Sequence, residues 1–266
     1  LRDAFRQYID GVQPQGLAVL YGDDLNLRTI AGRSQTRCVF YGEHEENDYF
    51  LKNWKAQGLG SVFEVYEHGQ KLGRVRLSVP GRHNALNALA AIATGRELGL
   101  EFANMRKAIV GFHGAKRRFQ IMGEHNNILV IDDYAHHPTE IKATLRAARS
   151  YHTGRLITVF QPHRYSRTRQ LGTQLGEAFI TSDIAVITNI YAAGEAPIPG
   201  ISSDIVFKAA QQAGCTAVYI PDLENVIDYL FEICRPGDLI ITMGAGDIWN
   251  IGPAFINRLK QSVPQA

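Results

Sequence analysis

In the second part of the chain, short apolar runs alternate with helical patterns. The runs are almost continuously apolar and rich in branched residues, which is typical of strands buried on both faces. The predicted strands span 128–131, 156–160, 184–188, 217–220 and 239–242. The predicted helices lie near 139–150, 166–180, 202–213, 222–233 and 247–260. This alternation predicts an α/β fold with a C-terminal doubly wound, mostly parallel, Rossmann-like sheet.

The first part of the chain has a less regular pattern. Short strands are predicted at 17–21 and 37–41, and a hairpin at 61–67 and 71–79 around His68-Gly69-Gln70. Two helices follow, at 82–98 and 102–110, and each ends at a glycine. Residues 121–127 contain Gly123 and an Asn-Asn turn. We therefore expect two domains, over residues 1–121 and 122–266, with a hinge at 121–127.

Polar side chains gather where the first strand of the second part ends. Asp132, Asp133, Tyr134, His136 and His137 directly follow that strand, and the next residue, a proline, is suited to a first helical turn. In open α/β sheets, ligands bind at the carboxyl edge of the strands. Any one of these residues is better explained as a helix cap or a solvated side chain, but five in so short a segment favour a site.

A second cluster follows the next strand and is basic. His163, Arg164, Arg167 and Arg169 lie in one loop and the start of one helix. Guanidinium groups match phosphates and carboxylates, and a helix N-terminus also favours an anion. A solvated turn explains this cluster less well than it explains the first one, because the helix dipole disfavours cations at this end. The cluster predicts an anion-binding site.

Composition limits the function classes that remain. The chain of 266 residues has 28 basic and 26 acidic residues, a net charge of +2, which argues against a general nucleic-acid binder. Basic residues are concentrated locally, which suits a small polyanion such as a nucleotide. The three cysteines give neither a disulfide framework nor a metal pattern, so a reducing cytoplasm is the expected setting. No apolar run is long enough for membrane insertion.

Five segments together resemble the Mur ligases, and most closely the branch that adds L-alanine. Besides the two clusters, the resemblance is carried by Gly81–Ala91, Gly114–Phe119 and Tyr191–Gly200. It extends from near residue 1 to about Asn257. The resemblance implies an ATP-dependent ligase that joins L-alanine to UDP-N-acetylmuramate through an acyl phosphate. The first part would be a partial central, ATP-binding domain, and the second would bind the amino acid and the ATP ribose.

The resemblance also implies roles for individual residues. The adenine of ATP is expected at His83, Asn84 and Asn87, and its ribose at Arg118 and Asp133, with Arg117 beside them. Substrate binding is expected of Tyr134, His136, Arg164 and Arg167, and catalysis of His136, His163, Arg164 and Arg167. From the residues alone, a helix cap is the better explanation of Asn84, and a solvated linker explains the arginine pair as well as a binding site does. The Gly244–Gly246 turn is better explained by close strand–helix packing than by anion binding.

The chain departs from the family pattern in one respect. The phosphate loop G-x-x-x-x-G-K-[ST] does not occur, and the chain contains no Gly-Lys dipeptide. The UDP-binding domain and the magnesium-binding segments also have no match. We therefore expect a portion of a longer ligase that is inactive alone, with Mg²⁺ held outside this chain. Two alternatives stay open: a ligase that recycles murein peptides, and a non-catalytic nucleotide-binding module.

Overall fold

The computed structural model describes residues 1–261, which divide into two compact units. The first unit covers Leu1–His113 and the second begins at Gly114. This division differs from the boundary predicted at 121/122. The expected hinge is instead a hairpin of the second unit, because residues 120–125 form a strand and Asn126 and Asn127 form its turn. Both asparagines adopt left-handed backbone conformations, at φ 51° and 58°, which this residue type tolerates.

The first unit is a five-stranded mixed sheet with helices packed on it. Its elements are α1 (Arg2–Asp10), β1 (Leu17–Tyr21), α2 (Leu25–Ala31), β2 (Arg37–Gly42), β3 (Tyr49–Gln57), β4 (Gly60–Glu67), β5 (Gln70–Leu77), α3 (Arg82–Glu97) and α4 (Phe102–Val110). The strand order is β1-β2-β3-β4-β5, parallel up to β3 and antiparallel from there. The predicted hairpin is present, and its turn is made by His68 and Gly69 with positive φ.

The core of the first unit explains where its helices lie. Leu89 and Ile92 of α3 are fully buried and belong to one core cluster with Phe63, Val65 and Val75 of β4 and β5. This apolar contact is the main force that holds α3 on the sheet. The opposite face of α3 stays accessible, and the residues expected to contact adenine begin this helix.

The second unit is a six-stranded sheet in which all pairs but one are parallel. Its elements are β6 (Gln120–His125), β7 (Ile128–Asp133), α5 (Pro138–Arg149), β8 (Leu156–Phe160), α6 (Tyr165–Glu177), β9 (Ile184–Ile187), α7 (Asp204–Gln212), β10 (Thr216–Tyr219), α8 (Leu223–Ile233), β11 (Leu239–Met243), a 3₁₀ turn (Ile248–Asn250) and α9 (Ile251–Gln261). The strand order is β10-β9-β8-β11-β7-β6, and only β6 runs antiparallel. The predicted Rossmann-like α/β class is confirmed.

The strands of this sheet are buried on both faces. Every residue of β8 and of β11 is buried, as expected for strands covered by helices on each side. β11 pairs with β7 on one side and with β8 on the other, so Asp133, Met243 and Phe160 are register partners. Three strands therefore end at one level, and the loops that follow them share one edge. In residues 1–261, no helix is long and apolar enough to cross a bilayer.

Limited proteolysis tests this division of the chain. Residues 111–116 form no helix or strand and are mostly exposed. The Asn126-Asn127 turn, in contrast, connects two strands that are hydrogen-bonded to each other up to the turn. Proteases cleave exposed, weakly held backbone first. We expect subtilisin to cut first within 111–116 and to leave a resistant fragment that begins there, identified by mass spectrometry. A first cut within 121–127 would restore the boundary predicted from the sequence.

Candidate functional site

Arg117 holds the edge of the second sheet together. Its Nε donates to Oδ2 of Asp132 at 2.9 Å, and its Nη2 and Nη1 donate to the carbonyl oxygens of Gly244 and Gly246 at 2.6 and 3.2 Å. The side chain of Asp132 is 1% exposed and that of Arg117 is 22% exposed. The other oxygen of Asp132 accepts from Thr242 Oγ1 at 2.7 Å. The guanidinium thus donates its hydrogen bonds to other groups of the protein, and it joins the end of β7 to the turn after β11.

Arg118 is placed differently from its neighbour. Its side chain is 53% exposed, and its Nη1 lies 3.7 Å from Glu140 Oε1. Both guanidinium groups stand over the ring of Tyr134, with the guanidinium carbon of Arg118 5.8 Å and that of Arg117 5.0 Å from the ring centroid. Of the adjacent arginines, only Arg118 therefore presents an exposed guanidinium to a ligand.

Asp133 is buried at the end of β7. Its Oδ2 accepts from Phe119 N and its Oδ1 from Ala135 N, both at 2.8 Å. Burial raises the pKa of Asp133 to about 6, and the two backbone hydrogen bonds oppose that shift. Each carboxylate oxygen can accept a second hydrogen bond, which leaves room for a ribose hydroxyl. The ribose contact itself stays a prediction.

Four aromatic side chains form a row along the edge. The rings of Tyr134 and His136 meet edge to face with centroids 5.3 Å apart, and those of His136 and His163 lie 5.8 Å apart. Tyr191 then stacks on His163 at 5.7 Å with 12° between the ring planes. The structure therefore brings together three expected site residues from two loops, and it adds Tyr191 from the loop after β9.

The two histidines present different ring nitrogens. His136 Nδ1 lies 2.8 Å from the carbonyl oxygen of Tyr134, which can only accept, so Nδ1 carries a hydrogen. His163 Nδ1 lies 3.2 Å from Nη1 of Arg167, which can only donate, so this Nδ1 accepts. Neutral His136 then offers Nε2 as an acceptor, and neutral His163 offers Nε2–H as a donor.

His163 is held neutral by its surroundings. Burial lowers the pKa of His163 to about 4, and the positive charge of Arg167 is the next largest cause, followed by His136 and Arg164. At neutral pH this imidazole therefore carries no charge, and it can take part in hydrogen bonds without adding to the positive charge of the site.

The first turn of α6 is fixed by a carboxylate that the sequence did not point to. Glu195 accepts from Ser166 N at 2.9 Å and from Ser166 Oγ at 2.5 Å, and its Oε1 lies 4.0 Å from Arg164 Nη1. Arg164 caps α6 in a left-handed conformation, at φ 72°. Its N–H donates to Tyr191 O at 2.8 Å. The 191–200 loop is therefore tied to the basic loop, whereas Arg169 is exposed on the helix beyond it.

The expected adenine contacts lie on α3 of the first unit. Asn84 donates from Nδ2 to Pro80 O at 2.7 Å, and the N-cap of the helix is Gly81 at φ 98°. Asn84 is therefore not the helix cap, and its side-chain oxygen can still accept. Asn87 is exposed one turn further along, and His83 is half-buried. The adenine contacts stay a prediction.

The glycine turn after β11 is tightly packed. A side chain at Gly246 would place its Cβ 2.3 Å from Gln161 Oε1, and Gly244 has φ 147°. These contacts support close packing as the reason for both glycines. Gln161 Nε2 donates to Asp247 Oδ1 at 2.7 Å, which ties the loop after β8 to the loop after β11. Within residues 1–261, no group of three or more His, Cys, Asp and Glu side chains could hold a metal ion.

Comparisons with known proteins agree across both units. The Mur ligase middle domain matches residues 1–95, and the Mur ligase, glutamate ligase domain matches residues 117–246. A UDP-N-acetylmuramate–L-alanine ligase of Syntrophomonas wolfei is 55% identical over 99% of this chain and 57% of its own length. One of Pelotomaculum thermopropionicum is 47% identical over 97% of this chain and 57% of its length. The chain thus spans little more than half the length of these relatives.

Solved structures show the same fold. The crystal structure of UDP-N-acetylmuramate–alanine ligase from Thermotoga maritima has a TM-score of 0.79 at 27% identity, over 98% of this chain and 55% of that one. A murein peptide ligase from Psychrobacter arcticus has a TM-score of 0.71 at 23% identity, over 98% of this chain and 55% of that one. The second likeness is one of fold alone.

Substitution of the adjacent arginines separates their roles. Arg117→Met leaves Asp132 charged and buried without its partner, which destabilises by about 3–5 kcal/mol. Arg118→Met removes only an exposed pair, so a change below about 1 kcal/mol is expected. Urea-dependent hydrogen exchange of β7 and β11 amides measures both. Equal effects of the two substitutions would show that Arg117 does not hold this edge.

The charge on His163 can be followed by NMR titration. We expect its pKa near 4. Arg167→Met should raise it, because a nearby positive charge is removed, whereas Arg169→Met should leave it unchanged. The unfolded chain binds the proton near pH 6.5, so this residue's contribution to stability is present above that pH and is lost as pH falls through about 4. Titration near 6.5 in the unsubstituted chain would contradict the assignment.

Proposed function

Because the chain belongs to the Mur ligase family, we propose that it forms part of an ATP-dependent ligase that joins L-alanine to the lactyl carboxylate of UDP-N-acetylmuramate. The product would be a peptidoglycan precursor. The observation that carries the proposal is the edge of the second sheet, where Arg164, Arg167, His136 and His163 meet. An edge of this kind suits a reaction that develops negative charge and moves a proton.

The choice of L-alanine rests on the relatives. Those at 55% and 47% identity are UDP-N-acetylmuramate–L-alanine ligases, whereas the likeness to a murein peptide ligase is one of fold alone. The Tyr191–Gly200 loop, which resembles the alanine-adding branch, lies against the basic loop through Tyr191 and Glu195. We propose that this loop borders the amino-acid site.

The proposed reaction has two steps. The lactyl carboxylate attacks the γ-phosphorus of ATP, which forms an acyl phosphate and releases ADP. The alanine amine then attacks the acyl carbon, and inorganic phosphate leaves as the amide forms. Negative charge grows on the carbonyl oxygen in the second step, and fixed cationic donors stabilise such charge. Arg164 and Arg167 are the guanidinium groups that stand at this edge.

The two histidines are proposed to have different roles, one as a proton acceptor and the other as a hydrogen-bond donor. Neutral His136 offers Nε2 as an acceptor, so we propose it as the base that takes a proton from the alanine ammonium. His163 is neutral at neutral pH and offers Nε2–H, which suits donation to an oxygen of the acyl phosphate. Glu140 lies 3.6 Å from His136 Nδ1 and would stabilise the imidazolium that forms.

We propose separate nucleotide contacts for the two units. On α3, Asn84 and Asn87 are proposed to bind adenine, with His83 beside them. In the second unit, Arg118 and Asp133 are proposed to contact ribose, and Arg117 acts as a positioning residue behind them. Magnesium is expected with ATP, and the described residues contain no group of three or more His, Cys, Asp and Glu side chains that could hold it.

The expected setting of the reaction is the cytoplasm. Cys38, Cys215 and Cys234 are all free, which suits a reducing compartment.

A protein that extends this chain upstream to include a phosphate loop provides the test of substrate. It should form UDP-N-acetylmuramoyl-L-alanine from ATP, L-alanine and UDP-N-acetylmuramate, followed by mass spectrometry and phosphate release. Preferential turnover of a tripeptide in place of L-alanine would favour the recycling ligase. ATP binding without any ligation would favour the non-catalytic module.

The basic loop provides the test of mechanism. In the same longer protein, Arg164→Ala or Arg167→Ala should lower kcat/KM by about 100-fold or more, because charge that develops at the reacting carbon loses a donor. Arg169→Ala is the matched control, since that side chain is exposed further along α6, and it should change kcat/KM less than about 2-fold. Normal kinetics in either loop variant would remove that residue from the site.

A further inference from the structure

A groove in the first unit is lined by cations that the proposed reaction does not use. It has a volume of about 460 Å³ and lies between β5 and α4. Its charged lining is Arg74 and Arg76 from the strand and Arg106 and Lys107 from the helix, and no acidic side chain lines it. Val62 and Val110 supply its apolar surface. We propose that this groove binds a small anion that carries two or more phosphate groups.

The cations form two facing walls. Arg74 and Arg76 are two residues apart on β5, so they project from the same face of the strand and are about 7 Å apart along it. Arg106 and Lys107 are neighbours near the end of α4. An anion between strand and helix is therefore approached by two positive charges from each side.

The walls are held in place by packing. Ser78 Oγ donates to Val110 O at 2.8 Å, which fastens the end of α4 to the chain that leaves β5. The ring of Phe102 lies against Gly73, where a Cβ would come within 3.1 Å of it. A groove with fixed walls binds an anion without first ordering the backbone, which favours affinity.

The lack of internal counter-charges sets these cations apart from others in the same unit. Arg37, Arg82 and Arg96 each pair with a glutamate. For the four groove cations, no ion pair or hydrogen bond to a carboxylate occurs within the described residues. Like charges gathered without acids repel one another, and a bound anion relieves that repulsion.

An acid on the neighbouring strand is already engaged. Glu64 is the register partner of Arg74 across the β4–β5 pair. Its carboxylate accepts from Lys71 Nζ at 2.6 Å and from Asn53 Nδ2 at 2.9 Å. The hydrogen bond from Lys71 is the largest cause that lowers the pKa of Glu64. Glu64 is therefore engaged by Lys71 and Asn53, and within the described residues no ion pair joins it to Arg74.

The chemistry of the lining favours phosphate over carboxylate. Three of the four cations are arginines, whose forked donors match the oxygens of a phosphate group. An oligophosphate concentrates three or more negative charges in a small volume, whereas an acidic peptide carries one charge per side chain. The overall charge of +2 and the local confinement of these cations do not suit an extended nucleic acid.

Calorimetric titration of the 266-residue chain with tripolyphosphate tests the proposal. We expect saturable binding that weakens as salt rises, and orthophosphate should bind at least about 10-fold more weakly because it cannot span both walls. Arg74→Gln combined with Arg106→Gln removes one cation from each wall and should weaken tripolyphosphate binding by at least about 10-fold. Circular dichroism verifies that the variant is folded.

Two control pairs make the result specific. Arg2→Gln combined with Arg6→Gln removes the same charge from α1 and should change the affinity less than about 2-fold. Arg118→Gln combined with Arg167→Gln removes cations from the second unit and should leave most of the affinity intact.

Four outcomes would overturn the proposal. They are the absence of binding, an unaffected groove variant, an equal loss in either control pair, and a glutamate decapeptide that binds as tightly as tripolyphosphate. No groove residue is assigned to the ligase reaction, so the absence of binding or an unaffected groove variant leaves the proposed function untouched. An equal loss in the Arg118–Arg167 pair would instead place the anion at the proposed ligase site.

Discussion

The contact on which the site depends is the ion pair between Arg117 and Asp132. Both partners are removed from most solvent, and such a pair is tolerated only when nearly every donor and acceptor is satisfied. Here the guanidinium also binds two carbonyl oxygens of the glycine turn, and the carboxylate binds Thr242. Arg117, near the start of the second unit, is thereby fastened both to the end of β7 and to the glycine turn. The aromatic row and the basic loop are built around this contact.

Electrostatics at the edge follow from this arrangement. Arg117 is neutralised by the protein, so its charge does not repel the ligand-facing arginines. Arg164 and Arg167 keep their charge, and His163 stays neutral beside them because burial, and after it the charge of Arg167, lowers its pKa. Glu195 balances part of the remaining charge while it orders the first turn of α6. The site therefore presents positive charge through Arg164 and Arg167, and not through Arg117 or His163.

Much of the second unit was predictable because its strands are buried on both faces. Continuous apolar runs such as β8 and β11 give a clear pattern, and the residues after β7 and β8 then had to share one edge. β3 and β6 were missed because register shifts at 52/55 and 121/123 break the period of two, with Asn53 and Gly123 at positive φ. α1 was missed although Phe5, Tyr8 and Ile9 recur at helical spacing, because the helix has only nine residues and buries only Ile9.

The candidate site was predictable only in part. The residue types indicated an anion site, but adjacent arginines look alike in a sequence, and only the backbone decides which one points inward. Arg117 has φ 57° and turns its guanidinium toward Asp132, whereas Arg118 faces outward. The role of Glu195 could not be predicted, because its partner Ser166 is 29 residues away along the chain and no local pattern links them. Contacts of this kind depend on how the loops meet, which periodicity does not encode.

The position of β11 in the sheet has a consequence for biosynthesis. This strand is the last of the second unit to be made, yet it lies in the middle, between β7 and β8. Until residues 239–243 leave the ribosome, the nascent chain holds two incomplete half-sheets whose apolar inner strands have open edges. Such edges are prone to pair with other chains. Any protection that the nascent polypeptide receives from a chaperone is needed most during the interval between the completion of β8 and the emergence of β11.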